Sequence, residues 1–307
     1  MGKTDTTPLH VVFTMDCVPP GGPDVVTGPD SWDAGREAMK SFAEGLNEID
    51  MKGTFFIAPS ALKQMEETME GLTEAGMEMG LLCHPQLHQY QSYLGSYSFD
   101  RQREIVHLVT QIWESRRGEA PETFRPGFFS ANDYTYQVLC LEGYRQGSCS
   151  LPGRVDLDQC CQWDRAFPFA HHTDPLDRKL AGTMEFYEVP VSSEFEAEGD
   201  TGTEMYTPPH LRIESPYINE HAGDLIHEIL NRMNEEDSSV RSLVFVTHNA
   251  VNWGAAEDPH LERLSNLVDL VREAGEEHGL TCQPTTLASL HEYADNVWSS
   301  GEPLGHL

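Results

Sequence analysis

Short apolar runs alternate along this chain with longer stretches whose apolar residues recur at helical spacing. That alternation restricts the fold more than any other feature. "HVVFTMD" (His10 to Asp16), "GTFFIA" (Gly53 to Ala58), "MGLLC" (Met79 to Cys83) and "SLVFVTH" (Ser242 to His248) read as buried strands. "ETFRPGFF", "YRQGSCS", "MEFYEVPVS" and "LTCQPTT" supply shorter ones. "SWDAGREAMKSFAEGLNEID" reads as a helix with Ser31 as its N-cap, and Pro59 opens the next. Further helices are expected at Phe99 to Arg117, at "ANDYTYQVLCLEG" before Gly143, and at Asn219 to Asn234. Two more follow, around Leu261, Leu264, Val268 and Val271, and at "LASLHEYAD". Strands alternating with helices argue for parallel β/α units. About seven or eight of them favour one domain over residues 1–307, a distorted β/α barrel, over two smaller domains. The pattern fails near 151–182 and 193–216, which read as irregular insertions.

Charge narrows the partners. With 50 acidic and 20 basic residues the net charge is -30, which repels phosphate backbones and anionic lipid. Nucleic acid and membrane partners are therefore not expected, and a homo-oligomer is left open. No apolar run approaches the length of a membrane span. "MGKTDTTPLH" lacks the apolar core of a secretory signal, and the 7 cysteines have no regular spacing. A cytoplasmic protein with reduced thiols is the expectation.

Polar residues gather where the strands end. Asp16 and Cys17 end the first, His84 and His88 follow the third, Arg125 sits at the fourth and His248 ends the seventh. Parallel α/β folds assemble their chemistry at such carboxyl ends. In "HPQLH" the two imidazoles share a face if the chain makes one helical turn, an arrangement that suits a divalent metal. The same spacing also arises by chance on surface turns. Asn249, Asn252 and Trp253 in "THNAVNWG" could line a pocket. Tyr90, Phe128, Trp163, His171 and His172 are weaker rim residues, for which ordinary packing is the readier explanation.

"VVFTMDC", "GTFFI", "HPQLH", "FRPGFFSAN" and "LVFVTH", in this order, resemble the motif series of the polysaccharide deacetylases. That is the carbohydrate esterase family four superfamily, which also holds allantoinase-like relatives. "YEVPVS" resembles the E-x-P-V strand of its intracellular-type members. The resemblance spans about His10 to Ala294 and rests on the ordered set, since each motif alone is weak.

The resemblance implies a deacetylase-type barrel that hydrolyses carbon–nitrogen bonds. An N-acetyl group on an amino sugar is the first expectation for the substrate. It implies a divalent transition metal, zinc being the expected ion, at His84, His88 and a third ligand. It also implies a general acid at His248 and an arginine, Arg125, that orients the catalytic carboxylate. The family's T-F-D-D-G motif falls on Thr14 to Val18, so that Asp16 matches the base and Cys17 replaces the metal carboxylate. Three arrangements stay open: Asp16 turns to the metal, Cys17 supplies a thiolate, or the site is metal-free. Two other functions compete. One is an amidohydrolase of a small cyclic amide, which the lack of a secretory signal favours. The other is a degenerate carbohydrate-binding domain, which the altered motif favours.

Overall fold

The computed structural model describes residues 7–21, 26–195, 205–253 and 260–299. The expected insertion at 193–216 is thus described only in part, 196–204 lying outside. The strands are β1 (Thr7–Cys17), β2 (Gly53–Ile57), β3 (Glu78–Cys83), β4 (Thr123–Pro126), β5 (Gln146–Gly147), β6 (Val155–Asp156), β7 (Cys161–Gln162), β8 (His171–His172), β9 (Tyr187–Glu188), β10 (Met205–Tyr206), β11 (Arg241–His248) and β12 (Leu280–Pro284). The helices are α1 (Trp32–Glu48), α2 (Leu62–Glu74), α3 (Phe99–Arg117), α4 (Thr135–Leu141), α5 (Pro216–Glu235), α6 (His260–Glu277) and α7 (Leu287–Ser299). None is long and apolar enough to cross a membrane. Ser31 caps α1 as its sequence position predicts, its Oγ accepting from the Ala34 N–H at 3.1 Å.

The principal sheet runs β11-β1-β2-β3-β4-β5-β9-β8, parallel except for β8, which runs antiparallel to β9. β1 lies next to the β11 edge and is forked. Most of its length pairs with β11, from Leu9 opposite Arg241 to Asp16 opposite His248. On the other edge its first half pairs with β12 and its second half with β2. Between β9 and β11 the barrel closes without a regular strand. Ser192 N–H donates to Val244 O at 3.2 Å, and Val246 N–H donates to Leu211 O at 2.9 Å. The chain is a distorted, curled β/α barrel.

Alternation along the strands divides the interior in two. Val11, Phe13, Met15, Phe55, Ile57, Leu81 and Phe245 belong to the core between sheet and helices. Val12, Phe56, Leu82 and Val244 point the other way, into the barrel, and cluster with Leu287, Leu290 and Ala294 of α7. Helix α7 therefore plugs the amino end of the barrel. A polar network seals that plug. Glu78 accepts from Thr54 Oγ1 at 2.7 Å, from the Ala288 N–H of α7 at 3.2 Å, and from Thr123 Oγ1. Gln146 Nε2 donates to Thr123 Oγ1 at 2.7 Å.

Strand character is expected across "YRQGSCS" and "MEFYEVPVS", but β5 and β9 keep two residues each. The reason is Glu188. Its buried carboxylate accepts from the Cys149 and Ser150 N–H groups at 2.9 Å each, so side chain replaces ladder.

His10 and His171 are buried, and burial lowers each imidazole to about 4. Each binds fewer protons folded than unfolded, so its stabilising effect is complete above about 6.5 and is lost as pH falls toward about 4. Stability should therefore drop between these values by up to about 1.4 kcal/mol per pH unit for each group. Urea midpoints measured across that range check this. In the double variant His10→Phe, His171→Phe the slope should flatten.

Candidate active site at the carboxyl ends of the strands

The predicted site residues do meet at one end of the barrel, opposite α7. Arg125, on β4, is its centre. The side chain is fully buried, and Asp16 Oδ1 accepts from its Nη1 at 2.8 Å. The same Nη1 reaches Thr14 Oγ1 at 3.0 Å, and Nε donates to Ser148 O at 3.0 Å. The guanidinium lies 4.2 Å from the Phe56 ring centroid, a cation–π contact within the barrel. Asp16 itself keeps 25 % of its side chain exposed, so the ion pair is buried at one end and open at the other.

Asp16 and Cys17 are consecutive strand residues and face opposite ways. Cys17 is fully buried in the core between sheet and helices, where Ile57 and Cys83 also sit. Burial pushes its thiol well above the ordinary range, and the Asp16 charge adds to that. A thiol there behaves as an apolar side chain.

His84 follows β3 and starts the turn Pro85–His88 that carries His88. Burial lowers the His84 imidazole to about 4; the Asp16 carboxylate opposes this and His88 adds to it. Burial also lowers His88. His84 Nδ1 and His88 Nε2 are buried without a protein hydrogen-bond partner. Both rings are thus neutral with an uncommitted nitrogen, which is the state a metal ligand needs. Among the described residues, however, one group of three His, Cys, Asp or Glu gathers its ligand atoms within 4.8 Å. That group is His172, His291 and Asp295, not Asp16, His84 and His88. The upper set fits a divalent ion in chemistry, while its atoms stand further apart than in a closed site.

The loop after Arg125 is tailored to His84. A Cβ on Gly127 would overlap the His84 ring. Phe128 meets that ring edge-on at 5.0 Å. Phe128 and Phe129 both hold left-handed backbone, φ 60° and 57°, a strained choice for aromatic residues. The stretch 151–182 supports it: Trp163 Nε1 donates to Phe129 O at 2.7 Å and Arg154 Nη1 to Phe128 O at 3.3 Å. This fixes the place of two rim residues. Phe128 faces the site, and Trp163 is wholly buried beneath it. His171 is buried against Phe169 O at 2.6 Å, and Tyr90 bonds Glu104 at 3.2 Å.

His248 ends β11 beside Asp16. Its Nε2 lies 3.5 Å from Glu214 Oε1, and its Nδ1 is buried without a protein partner. Burial lowers its imidazole, Glu214 and Asp16 oppose that, and Arg212 adds to it. Glu214 is 2.8 Å from Arg212. Burial would raise its carboxyl, but Arg212 and His248 hold it below the usual range. Sequence reasoning missed Glu214, which lies in an aperiodic stretch. The only signal was that Arg212 and Glu214 share one side of an extended "RIE". The expected pocket role of Asn249 and Trp253 is not what the structure shows. Asn249 bridges β1 and β11, accepting from Val18 N–H at 3.1 Å and donating to Val18 O at 3.0 Å. Trp253 packs on Phe42 in the outer core, and Asn252 is exposed.

No protein-family model matches the sequence, and no curated protein matches it. Solved structures do. One named as a polysaccharide deacetylase from Mycobacterium smegmatis shares 17% identity, with 100% of this chain and 96% of that chain covered at a TM-score of 0.62. The fold is that of the polysaccharide deacetylases. The allantoinase PuuE has it at 12% identity and a TM-score of 0.58, covering 98% of this chain and 93% of its own. A protein named as a polysaccharide deacetylase from Pseudomonas aeruginosa has it at 11% identity and 0.57, covering 96% and 92%. At the level of fold, the resemblance read from the motifs is borne out.

Gly127→Ala should turn the His84 ring out of its place at a cost of about 1–3 kcal/mol from overpacking. The His84 ring-proton resonances should shift as its contact with Phe128 is lost. Unmoved resonances in a stably folded variant would show that the two positions do not compete for space.

Proposed function

We propose that this protein hydrolyses carbon–nitrogen bonds, and that its substrate is an N-acetylated amino sugar. The supporting observation is the Asp16 carboxylate, gripped by a fully buried guanidinium at the end of the barrel where His84, His88 and His248 each keep an uncommitted ring nitrogen. A general base must be aimed. Arg125 does this, because its own position is fixed by Ser148 and Thr14.

His84, His88 and Asp16 would hold a divalent ion, with zinc expected from the imidazole-rich donor set. Such an ion polarises a carbonyl and acidifies water. The chain's own part is proton traffic. Asp16 accepts the proton of the attacking water in the arrangement in which it is not itself a ligand. His248, on the neighbouring strand end, delivers a proton to the departing nitrogen. Glu214 favours the protonated form of His248 and so keeps that donor charged to higher pH than burial alone allows.

A second reading has a specific observation behind it. With Cys17 turned into the outer core, β1 contributes one carboxylate and not two. A small cyclic amide, as in the allantoinase-like relatives, is the alternative substrate for such a reduced site.

Acetate release from N-acetylglucosamine oligomers and ring opening of allantoin and cyclic imides are the paired assays. Asp16→Asn and His248→Ala should each lower turnover on the true substrate class by about two to four powers of ten. Full activity in either variant would remove that residue from the mechanism. Binding of the oligomers without turnover of any substrate would favour a non-catalytic carbohydrate-binding protein.

Glu214→Gln gives a separate check. Losing that carboxylate lowers the His248 pKa further, so the alkaline limb of the rate profile should move to lower pH. An unmoved limb would show that His248 is not the titrating donor.

A further inference from the structure

The gathered group at the other end of the barrel belongs to none of this chemistry. His172 stands on β8, and His291 and Asp295 are one turn apart on α7. Each imidazole is held through its Nδ1. His172 Nδ1 lies 2.9 Å from Met184 O. A carbonyl can only accept, so Nδ1 carries the hydrogen and Nε2 keeps the lone pair. His291 Nδ1 lies 3.0 Å from Gln146 Oε1. The orientation of that amide follows from the seal described above. Thr54 Oγ1 already accepts from the Leu287 N–H at 3.2 Å and gives its hydrogen to Glu78, and Thr123 does the same toward Glu78. Thr123 Oγ1 then accepts from Gln146 Nε2, leaving Oε1 to face His291. Here too Nδ1 carries the hydrogen and Nε2 the lone pair.

Both free nitrogens point at one carboxylate oxygen. Asp295 Oδ1 lies 3.5 Å from His291 Nε2 and 3.7 Å from His172 Nε2. These separations are too long for hydrogen bonds. They are close to the edge of a tetrahedron around zinc, roughly 3.4 Å for ligand bonds of about 2.0–2.1 Å. Tyr187 stacks on His291 with ring centroids 4.8 Å apart, and Trp298 meets His172 edge-on at 5.2 Å, so both rings are fixed. The histidine side chains are 15 % and 4 % exposed while that of Asp295 is 45 % exposed, which leaves an entry path and a fourth position on the solvent side. Arg145 lies 3.7 Å from the opposite oxygen, Oδ2.

We propose that His172, His291 and Asp295 form a second divalent metal site, of the zinc class, that clamps α7 to the β8–β9 edge of the barrel. Donated Nδ1 hydrogens and two imidazoles with one carboxylate are the pattern that orients ligands for such an ion. The site is independent of the proposed hydrolysis.

The test uses the full chain after removal of metal with a chelator. In a His84→Ala background, which disables the upper pair, the protein should still take up one equivalent of zinc and gain melting temperature as it does. Adding Asp295→Asn or His172→Gln should abolish both, with circular dichroism unchanged. The half-exposed Asp295 gives the safer variant for folding. If His84→Ala does not fold, Asp295→Asn is placed in the unaltered chain, where zinc content should fall by one equivalent. Equal zinc content and equal melting shifts with and without Asp295→Asn would overturn the proposal, as would a His84→Ala protein that takes up no zinc.

Discussion

The guanidinium of Arg125 is the constraint around which the upper half of the barrel is arranged. A charge with no exposed surface costs several kcal/mol unless it is paired and its hydrogens are placed. Asp16 and Thr14 at Nη1 and the Ser148 carbonyl at Nε answer part of that demand, the Phe56 ring covers the guanidinium, and Nη2 keeps no protein partner. Those partners come from β1, β2 and the segment after β5, so one side chain of β4 ties together strands on both sides of it in the sheet. The tie also sets the chemistry, because the carboxylate that neutralises the arginine is the one left facing the open end.

The interior of the barrel is sealed beneath α7 and left uncommitted beside Asp16. At the amino end, Glu78, Thr54, Thr123 and Gln146 exchange hydrogen bonds with one another and with α7. At the carboxyl end, His84, His88, His248 and Glu214 all carry a buried polar atom with no protein partner. Closed networks favour a single rigid arrangement, and uncommitted groups suit a site that recognises something else. The strain at Phe128 and Phe129 lies at the second end, held there by Trp163 and Arg154.

Much of this was legible in the residues. Long periodic segments such as Phe99–Arg117 appear with the predicted bounds, because an apolar stripe at helical spacing has one good way to bury itself. The order of strand-end residues was enough to place Asp16, Arg125, His84 and His248 on one face. Strand alternation also contained the answer to Asp16 against Cys17: once β1 runs through Cys17, the two must face opposite layers. What could not be read was non-periodic. Closure of the barrel by Ser192 and Leu211 uses single hydrogen bonds within aperiodic chain. Glu214 and His172 acquire partners far away in sequence, and no local spacing announces such meetings.

The forked pairing of β1 bears on how the chain reaches this state. Thr7 to Val11 stand opposite Leu280 to Pro284, so the first strand finds half of its edge only near the far end of the described chain. During synthesis β2 can cover Phe13 to Cys17 early. Leu9 and Val11 meanwhile remain an apolar strand with unpaired backbone, the kind of segment that recruits other chains. Pairings this distant also make for slow folding. A protein organised this way is at its most aggregation-prone until β11 and β12 have been made, and its first strand is where a chaperone would find the most to hold.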